Sequence, residues 1–263
     1  MKKYTDINAS SVDKWAMEGW EWGTPVSAQD FARAKKGQWE VVLTPQKPVP
    51  KSWFAPHLTD GRLNGVALLG LASAGGQQMP IFAALGANCT VLDYSAQQLE
   101  SEYTVATREG YDINIVRADM TLTLPFDDNS FDIIFHPVSN CFVEVVRHIW
   151  QECARVLKPG GILMAGMCNG VNYLFDEHDD GSCDLKIVNK LPFNPLKDPA
   201  LMQKCLDNDW GVQFSHGIEE QIGGQLEAGL CLTHIFEDRD SGILSEYYPT
   251  FFATRAIKKG EGK

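Results

Sequence analysis

The stretch GVALLGLASAGGQQMPIFAALGANCTVLDYS, residues 65–95, decides how the chain folds. Residues 66–71 form a nearly unbroken apolar run, as expected of a central parallel strand that is covered on both faces. The small residues 72–76 predict a sharp turn that a ligand approaches closely. A helical pattern then ends at Gly86, and a second apolar run ends in Asp93. The stretch therefore predicts a strand–turn–helix–strand unit whose terminal carboxylate accepts hydrogen bonds from a ribose.

Composition limits the classes of protein and partner to consider. The 263 residues are 44% hydrophobic and 22% charged, as in a globular protein with one large α/β core. A net charge of −11, with no basic cluster beyond Lys258 and Lys259, argues against a nucleic-acid partner. The chain shows no long apolar run and no secretory leader, so no membrane partner is expected. Seven scattered cysteines without a CxxC pair favour reduced thiols and a cytoplasmic location.

Strands and helices continue to alternate after Asp93. Ser95, with Gln98 three residues later, predicts the N-cap of a helix that ends at Gly110 and buries Leu99, Tyr103 and Ala106 on one face. Three further strands are predicted by apolar runs: residues 113–118, 131–135 and 162–167. Between the last two, Val145, Ile149, Cys153 and Val156 predict an amphipathic helix that stops at the KPGG sequence.

The alternation breaks beyond residue 167. Residues 168–212 are irregular and acidic, which is typical of a functional insertion that covers a site. Residues 218–230 then predict a helix, and two strands follow at 231–236 and 250–257. Because no helix separates this last pair, antiparallel pairing is favoured and the sheet should be mixed at one edge.

Residues 1–60 lie outside this pattern and are rich in aromatic side chains. We expect a short helix around residues 12–19, a second helix capped by Ser27, and a strand or extended segment at 39–43. Five of the seven tryptophans fall here: Trp15, Trp20, Trp22, Trp39 and Trp53. Two interpretations stay open, an appendage that docks on the core through its rings and a lid over a ligand pocket.

Three motifs resemble those of the class I S-adenosylmethionine-dependent methyltransferases. The first turn of that family reads LxxGxGxG, which falls here on Ala72, Ala74 and Gly76, while Gly70 stands where an acidic residue is often found. LPFDDNSFDIIF, residues 124–135, resembles the family's segment through strand four, and RVLKPGGILMAG, residues 155–166, resembles its signature around strand five. The motifs cover residues 60–167, and the pattern alone continues over residues 213–258.

The resemblance implies an α/β fold with a Rossmann-like, seven-stranded mixed sheet. Its strand order is 3-2-1-4-5-7-6, with the last pair antiparallel, helices on both faces and an N-terminal helical cap. Residues 61–263 would form the methyltransferase domain, with the 168–212 insertion over its substrate side. The implied cofactor is S-adenosyl-L-methionine, and the product is S-adenosyl-L-homocysteine.

The resemblance also implies which residues bind the cofactor. Asp93 would hold the ribose hydroxyls, Asp119 would accept from the adenine amino group, the Met120 backbone would meet the ring edge, and Tyr94 would pack on the adenine face. The turn supplies the remaining cofactor-binding candidates: Ala72, Ser73, Ala74, Gly75 and Gly76.

Methyl transfer from a sulfonium chiefly requires alignment and the exclusion of water, and a base is optional. His136 follows strand four at the edge where ligands bind, so it is the candidate base. Alternatively, His136 hydrogen-bonds the cofactor's carboxylate or a loop carbonyl without taking a proton. Ser139, Asn140 and Glu144 are candidates for the substrate side. His178 has no companion ligands at recognisable spacing, so no metal site is expected.

The leading hypothesis is therefore methyl transfer to a small-molecule acceptor. A non-catalytic protein that binds S-adenosylmethionine is an alternative, because alanine replaces two of the three glycines of the turn. A nicotinamide-dependent oxidoreductase is a weaker alternative, because it shares the strand, the turn and the acid, but AxAGG does not fit GxGxxG.

Overall fold

A seven-stranded sheet with helices on both faces organises the chain in the computed structural model, which describes residues 3–176 and 184–260. The strand order is β3-β2-β1-β4-β5-β7-β6, which confirms the expected topology. Strands β1 to β5 pair in parallel, and β7 runs antiparallel to both β5 and β6. The strands are β1 (Ala67–Leu71), β2 (Asn88–Asp93), β3 (Asn114–Arg117), β4 (Phe131–His136), β5 (Leu157–Cys168), β6 (Leu230–Asp238) and β7 (Phe251–Lys258). The helices are α1 (Tyr4–Met17), α2 (Ala28–Lys35), α3 (Met79–Ala84), α4 (Ala96–Glu109), α5 (Val146–Val156), α6 (Pro199–Asp207) and α7 (Gly224–Glu227).

The apolar run of β1 is unbroken because both faces of the sheet are covered. Leu68 belongs to a core cluster on one face with Met79 of α3, and Leu69 belongs to a cluster on the other face with Trp150 of α5. All four side chains are fully buried. Alternate residues of one strand thus enter different cores, which is the arrangement expected of a parallel sheet.

Helix α4 begins where the capping pattern predicts and buries Leu99 and Ala106 as expected, but not Tyr103. The Ser95 hydroxyl accepts from the Gln98 amide at 3.1 Å, and Gly110 ends the helix in the left-handed conformation at φ 70°. Tyr103 is 58% exposed, so its predicted place on the buried face was wrong. Glu102 and Val105 are buried instead, because they are on the side of the helix that packs against the turn after β1.

The N-terminal helix is longer than the sequence pattern indicated. Helix α1 starts at Tyr4 and not near residue 12, because its buried residues are small or polar and give no apolar periodicity. These residues are Thr5, Asn8, Ala9 and Ser11. Residues 39–43 form no strand, since the only pairing there is a single bridge between Val42 and Pro48.

Three expectations for the second half also need correction. Strand β5 already begins at Leu157, so the KPGG sequence lies inside the strand. Val145 precedes α5 and is 60% exposed. The helix predicted at 218–230 is a π-helical turn, Glu219–Gly223, followed by the short α7. The 168–212 segment is largely irregular where it is described, but it contains α6.

Much of the N-terminal region packs into the main core. Phe31 of α2, Trp39 and Phe54 share one buried cluster with Leu68 and Phe82. Phe54 and Phe82 have ring centroids 5.6 Å apart. Residues 31–54 therefore complete the hydrophobic layer on the α3 face of the sheet.

Candidate functional site

A cavity of about 330 Å³ opens at the carboxyl ends of the parallel strands. This edge is where ligands bind in open α/β sheets, and the volume lies in the range of small-molecule sites, roughly 300–1,000 Å³. The cavity extends from the ends of β1 and β2 to Cys168 and Phe251, which are paired across β5 and β7. It therefore has a half next to β1–β3, called here the cofactor half, and a half next to β4, β5 and β7, called here the acceptor half.

The turn after β1 supplies the floor of the cofactor half. Ala72, Ser73 and Ala74 line the cavity. Ala72 has a φ of 45° and Ala74 a φ of 63°, so both alanines occupy the left-handed region that glycine adopts freely. A methyl group costs about 1–2 kcal/mol per residue in that region. The turn thus keeps the backbone shape expected of glycine, at a cost in strain.

The two remaining turn residues, Gly75 and Gly76, are not among the residues that line the cavity. A Cβ atom on Gly75 would overlap the Gln98 carbonyl, and one on Gly76 would lie 2.7 Å from Val105 Cγ2. Both residues are therefore glycine because α4 packs closely beneath the turn.

A buried carboxylate supports this turn from below. Glu102 of α4 is fully buried, and its Oε2 accepts the Gly76 amide at 2.7 Å while Oε1 accepts the Tyr111 hydroxyl at 3.0 Å. Burial raises the pKa of Glu102 to about 7, although these two hydrogen bonds oppose the shift. Sequence reasoning missed Glu102 because a glutamate within a helix is ordinarily exposed.

Asp93 lies at the cavity wall where β2 ends. Its Oδ1 accepts the Ser95 amide at 2.9 Å. Burial raises the pKa of Asp93 to about 6, and the nearby Asp13 adds to the shift. The neighbouring Tyr94 also lines the cavity, and its hydroxyl donates to Asp6 of α1 at 2.7 Å.

Asp119 and Met120, the two residues expected at the adenine, lie on the cavity wall after β3. Asp119 Oδ1 accepts from the Thr121 amide at 2.9 Å and from the Thr121 hydroxyl at 2.6 Å. Both bonds use Oδ1 and hold the carboxylate in place. They leave Oδ2 available to accept a hydrogen bond from a ligand.

His136 does not line the cavity, contrary to the expectation of a base. Its Nδ1 donates to the Leu71 carbonyl at 2.8 Å, and its ring packs edge-on against Trp150 at 6.0 Å. Burial lowers its pKa to about 4, so the ring is neutral at pH 7. Its Nε2 is buried without a partner. The geometry is that of a hydrogen bond to a backbone carbonyl at the end of β1.

The three substrate-side candidates are separated by the fold. Ser139 lines the cavity, whereas Asn140 and Glu144 do not. The Asn140 amide donates to Gln221 Oε1 at 2.8 Å, and Glu144 Oε1 accepts from Asn194 at 3.0 Å. Both side chains therefore attach the loop after β4 to later parts of the chain.

The acceptor half is built from residues that carried no sequence signal. They come from separate segments: Leu43, Cys141, Cys168, Tyr173, Gln213 and Phe251. The Tyr173 hydroxyl donates to Gln213 Oε1 at 2.7 Å. Burial raises the pKa of the Cys141 thiol to about 12, so this thiol stays protonated at neutral pH.

Helix α1 covers the cavity and joins its two halves. Asp13 Oδ1 accepts from the Ser95 hydroxyl at 2.5 Å and from the Gln97 amide at 2.9 Å. Asn8 forms hydrogen bonds with both the amide and the carbonyl of Val212, at 2.6 and 2.9 Å. Thr5, Ala9 and Val12 of the same helix contribute to the wall, as do Trp20 and Trp22.

The donor and acceptor groups of the cavity fit S-adenosylmethionine. Among the described lining residues, Asp93 and Asp119 are the only charged ones, which suits a ligand that carries a sulfonium and an ammonium. Buried oxygens without a hydrogen-bond partner on the wall include Thr5 Oγ1, Ser73 Oγ and Gln98 Oε1. Such orphaned acceptors are expected where a ligand supplies hydrogen-bond donors.

Other kinds of site have no support in the part of the chain that the structure describes. No group of three or more potential ligands that could hold a metal ion occurs within residues 3–176 and 184–260. His178, the histidine considered for metal binding, lies outside those ranges. None of the described helices is long and apolar enough to cross a membrane.

Comparisons with known proteins agree with this geometry. A family model described as "Methyltransferase domain" matches residues 69–165. The uncharacterized methyltransferase YbaJ of Bacillus subtilis is 41% identical over 253 residues, which cover 95% of this chain and 97% of that protein.

Solved structures share the fold at low sequence identity. An S-adenosylmethionine-dependent methyltransferase from Mesorhizobium loti aligns with a TM-score of 0.56 and 16% identity, over 74% of this chain and 91% of that one. A putative sarcosine dimethylglycine methyltransferase from Galdieria sulphuraria aligns with a TM-score of 0.55 and 17% identity, over 87% and 97%. The chain has this sheet order, and it aligns over nearly its whole length with a methyltransferase. It therefore belongs to the class I S-adenosylmethionine-dependent methyltransferases, and S-adenosylmethionine is its cofactor.

Proposed function

We propose that the protein transfers the methyl group of S-adenosylmethionine to a small uncharged molecule in the acceptor half of the cavity. The observation that carries this proposal is the continuity of the wall, which runs from Asp93 to Tyr173 and Phe251 beneath α1. A covered cavity lined mainly by apolar and neutral polar side chains favours a small acceptor over a nucleic-acid strand. The net charge of −11 supports the same choice.

The cofactor supplies an electrophilic methyl group on a sulfonium. The chain's own contribution is to fix the geometry and to exclude water. Asp93 and Asp119 anchor the two ends of the nucleoside, and the strained turn supports its remainder. Among the described lining residues there is no histidine, lysine or arginine, so an anionic acceptor would lack a cationic partner. This lining favours alignment and desolvation as the main contributions to rate.

We further propose that α1 serves as a lid within residues 1–60, over the domain formed by residues 61–263. The hydrogen bonds that the hydroxyls of Tyr94 and Ser95 donate to Asp6 and Asp13 hold the helix over the cofactor half. The bonds from Asn8 to Val212 close it over the 168–212 insertion and the residues that follow. Exchange of ligands then requires these hydrogen bonds to open.

The cofactor assignment is tested by titration calorimetry with S-adenosylhomocysteine. Asp93→Ala removes the carboxylate that accepts from the ribose, and we expect binding to weaken by at least about 30-fold, since hydrogen bonds to charged groups contribute about 1.5–3 kcal/mol each. Asp127→Ala removes an exposed carboxylate outside the cavity and should change the affinity less than about twofold. Absence of binding at millimolar ligand, or equal affinities for wild type and Asp93→Ala, would overturn the assignment.

The acceptor class is tested with methyl-labelled S-adenosylmethionine and a cell extract separated by ultrafiltration. We expect enzyme-dependent label in the low-molecular-weight filtrate. Label found solely in the retained protein or nucleic acid would contradict a small-molecule acceptor.

A further inference from the structure

Residues 186–197, KIVNKLPFNPLK, form a surface that the methyl-transfer site does not explain, and they are called here the lysine segment. Ile187 and Val188 are 64% and 50% exposed, and Leu191 and Leu196 are exposed as well. Single exposed aliphatic side chains are ordinary on a protein surface, but several of them close together mark an interaction site. The lysine segment is therefore a candidate interaction surface.

The backbone of the lysine segment is held in place, so the exposure of its side chains is a feature of the fold. The amides of Val188 and Asn189 both donate to the Leu174 carbonyl, at 3.0 and 3.2 Å. The buried Phe193 packs against Tyr173 of the cavity wall, with ring centroids 5.2 Å apart. The segment is thus fixed to the outer side of the acceptor half.

The charge of the lysine segment is opposite to that of the whole chain. Lys186, Lys190 and Lys197 are exposed, and the segment contains no aspartate or glutamate, although the chain has a net charge of −11. The segment follows the acidic stretch 176–184, so the sign of the charge changes within the insertion. None of the three lysines forms an ion pair with another described residue. Three positive charges are thus available to an anionic surface.

Aliphatic side chains interspersed with lysines fit the boundary of a lipid bilayer. The aliphatic groups can enter the layer between the headgroups and the acyl chains, while the lysine stems let the ammonium groups reach the lipid phosphates. Negative charges elsewhere on the chain are screened beyond about 10 Å at 0.1 M salt, so they do not prevent such an approach.

Other partners fit this surface less well. A second copy of the chain would bring lysines against lysines. A strand of another protein would need free backbone groups, but the amides of Val188, Asn189 and Phe193 are already bonded within the chain. An anionic lipid surface satisfies the lysines and the aliphatic side chains together.

We propose that the lysine segment docks on an anionic lipid surface, with Ile187 and Val188 at the headgroup boundary and the three lysines at the lipid phosphates. The proposal depends neither on the cofactor nor on the methyl acceptor. The expectation of no membrane partner rested on the absence of a long apolar run and of a secretory leader, whereas docking on the surface requires neither.

Co-sedimentation with vesicles tests the proposal. Vesicles of phosphatidylcholine alone are compared with vesicles in which about 30% of the lipid is phosphatidylglycerol, and we expect the wild type to bind the anionic vesicles at least about tenfold more strongly. This preference should disappear at about 1 M salt, where the Debye length is about 3 Å.

Two variants of the lysine segment separate the contributions of charge and apolar contact. Lys186→Gln/Lys190→Gln should weaken binding to the anionic vesicles about 25-fold, since each lysine near such a surface contributes about fivefold. Ile187→Ser/Val188→Ser should weaken it about tenfold or more, since both aliphatic side chains lose their contact with lipid.

Matched controls remove the same kinds of side chain from exposed positions outside the segment. Lys36→Gln/Lys259→Gln and Ile218→Ser/Ile235→Ser should each change vesicle binding less than about twofold. Unchanged denaturant midpoints verify that all four variants are folded.

The alternative outcomes overturn the proposal in different ways. Equal binding to both kinds of vesicle would show that the lysines do not meet lipid phosphates, and equal losses in the controls would show that the segment has no special role. Absence of binding to either vesicle would favour a protein as the partner. A dimer that forms without lipid and that Ile187→Ser/Val188→Ser dissociates, measured by sedimentation velocity, would assign the segment to a second copy of the chain.

Discussion

The two halves of the cavity are assembled in different ways. The cofactor half draws Ala72, Ser73, Ala74, Asp93 and Asp119 from one continuous stretch of 48 residues, 72–119, in which each strand places its last residues at the same edge. The acceptor half collects single residues from positions 43 to 251. Local sequence therefore determines the cofactor half, whereas the acceptor half exists only after distant strands and the N-terminal region have come together.

The two halves also differ in what lies behind their walls. Behind the cofactor half, the buried Glu102 is bonded to the Gly76 amide, while the Gly76 carbonyl accepts from the Val26 amide at 2.8 Å. In the acceptor half, the polar pair belongs to the wall itself: Tyr173 and Gln213 are neutral, and the side chains around them are mainly apolar. The cofactor half should therefore respond strongly to pH and to loss of a charge, and the acceptor half should not.

The largest effect is expected from Glu102→Leu. This substitution leaves the buried Gly76 amide and the half-buried Tyr111 hydroxyl without their acceptors, so we expect a loss of about 2–4 kcal/mol in the free energy of unfolding and weaker binding of S-adenosylhomocysteine. Chemical denaturation and calorimetry measure the two effects. Tyr173→Phe, a change in the acceptor half, should leave the affinity for S-adenosylhomocysteine within about twofold. A larger loss in Tyr173→Phe than in Glu102→Leu would reverse the contrast between the halves.

Glu102→Gln is the matched control, because its amide can accept from Gly76 and donate to Tyr111. The pKa of Glu102 is raised from 4.5 to about 7 in the folded protein, so the folded state binds the proton more tightly than the unfolded state does. The stability of the wild type should therefore fall by up to about 1.4 kcal/mol per pH unit, owing to this group, as pH rises from 4.5 to 7. The Glu102→Gln variant should lack that component. Identical pH profiles for the two proteins would contradict the raised pKa.

An effect of intermediate size is expected for the change of cofactor affinity with pH. The ribose hydroxyls require the carboxylate form of Asp93, whose pKa is about 6. At pH 5 only about a tenth of the protein carries the carboxylate form. The affinity for S-adenosylhomocysteine should therefore be about tenfold lower at pH 5 than above pH 7, where it no longer changes with pH. Calorimetry from pH 5 to 8 measures this slope. Asp93→Asn should bind weakly with a flat profile, and Glu102→Gln should keep the slope; a flat wild-type profile would show that Asp93 does not titrate at the ligand.

The contrast between the halves also explains how far sequence reasoning reached. The strands of the central region and the Ser95 cap depend on neighbouring residues, so the pattern was sufficient to predict them, whereas the strand order came from the resemblance to the family. No pattern marked Tyr173 and Phe251 as site residues, because only the β5–β7 pairing brings their segments to the edge.

Residues next to a motif were misplaced for a different reason. His136 ends β4 at the correct edge, but its side chain follows Ile134 onto the face covered by Trp150 of α5. Gly75 and Gly76 lie in the correct turn, yet their missing side chains make room for α4. Position along the chain identified the loop, whereas the direction of each side chain depended on what packed against it.

The smallest effect is expected from restoring glycine to the strained turn. Ala74→Gly relieves about 1–2 kcal/mol of left-handed strain at φ 63°, but glycine also makes the unfolded chain more flexible, which costs about 0.4–1 kcal/mol. The net gain in the free energy of unfolding should therefore be about 1 kcal/mol or less, with at most a small rise in affinity for S-adenosylhomocysteine.

Ala83→Gly in α3 measures the cost of glycine without any relief of strain, because Ala83 is helical, and it should lower stability by about 1 kcal/mol. The difference between the two variants, read from denaturant midpoints, isolates the strain at Ala74. If Ala74→Gly destabilises the protein as much as Ala83→Gly does, the alanine is unstrained. In that case the backbone of the turn is set by the Glu102 and Val26 bonds alone, and the cofactor half owes its shape to its supports and not to the residues that line it.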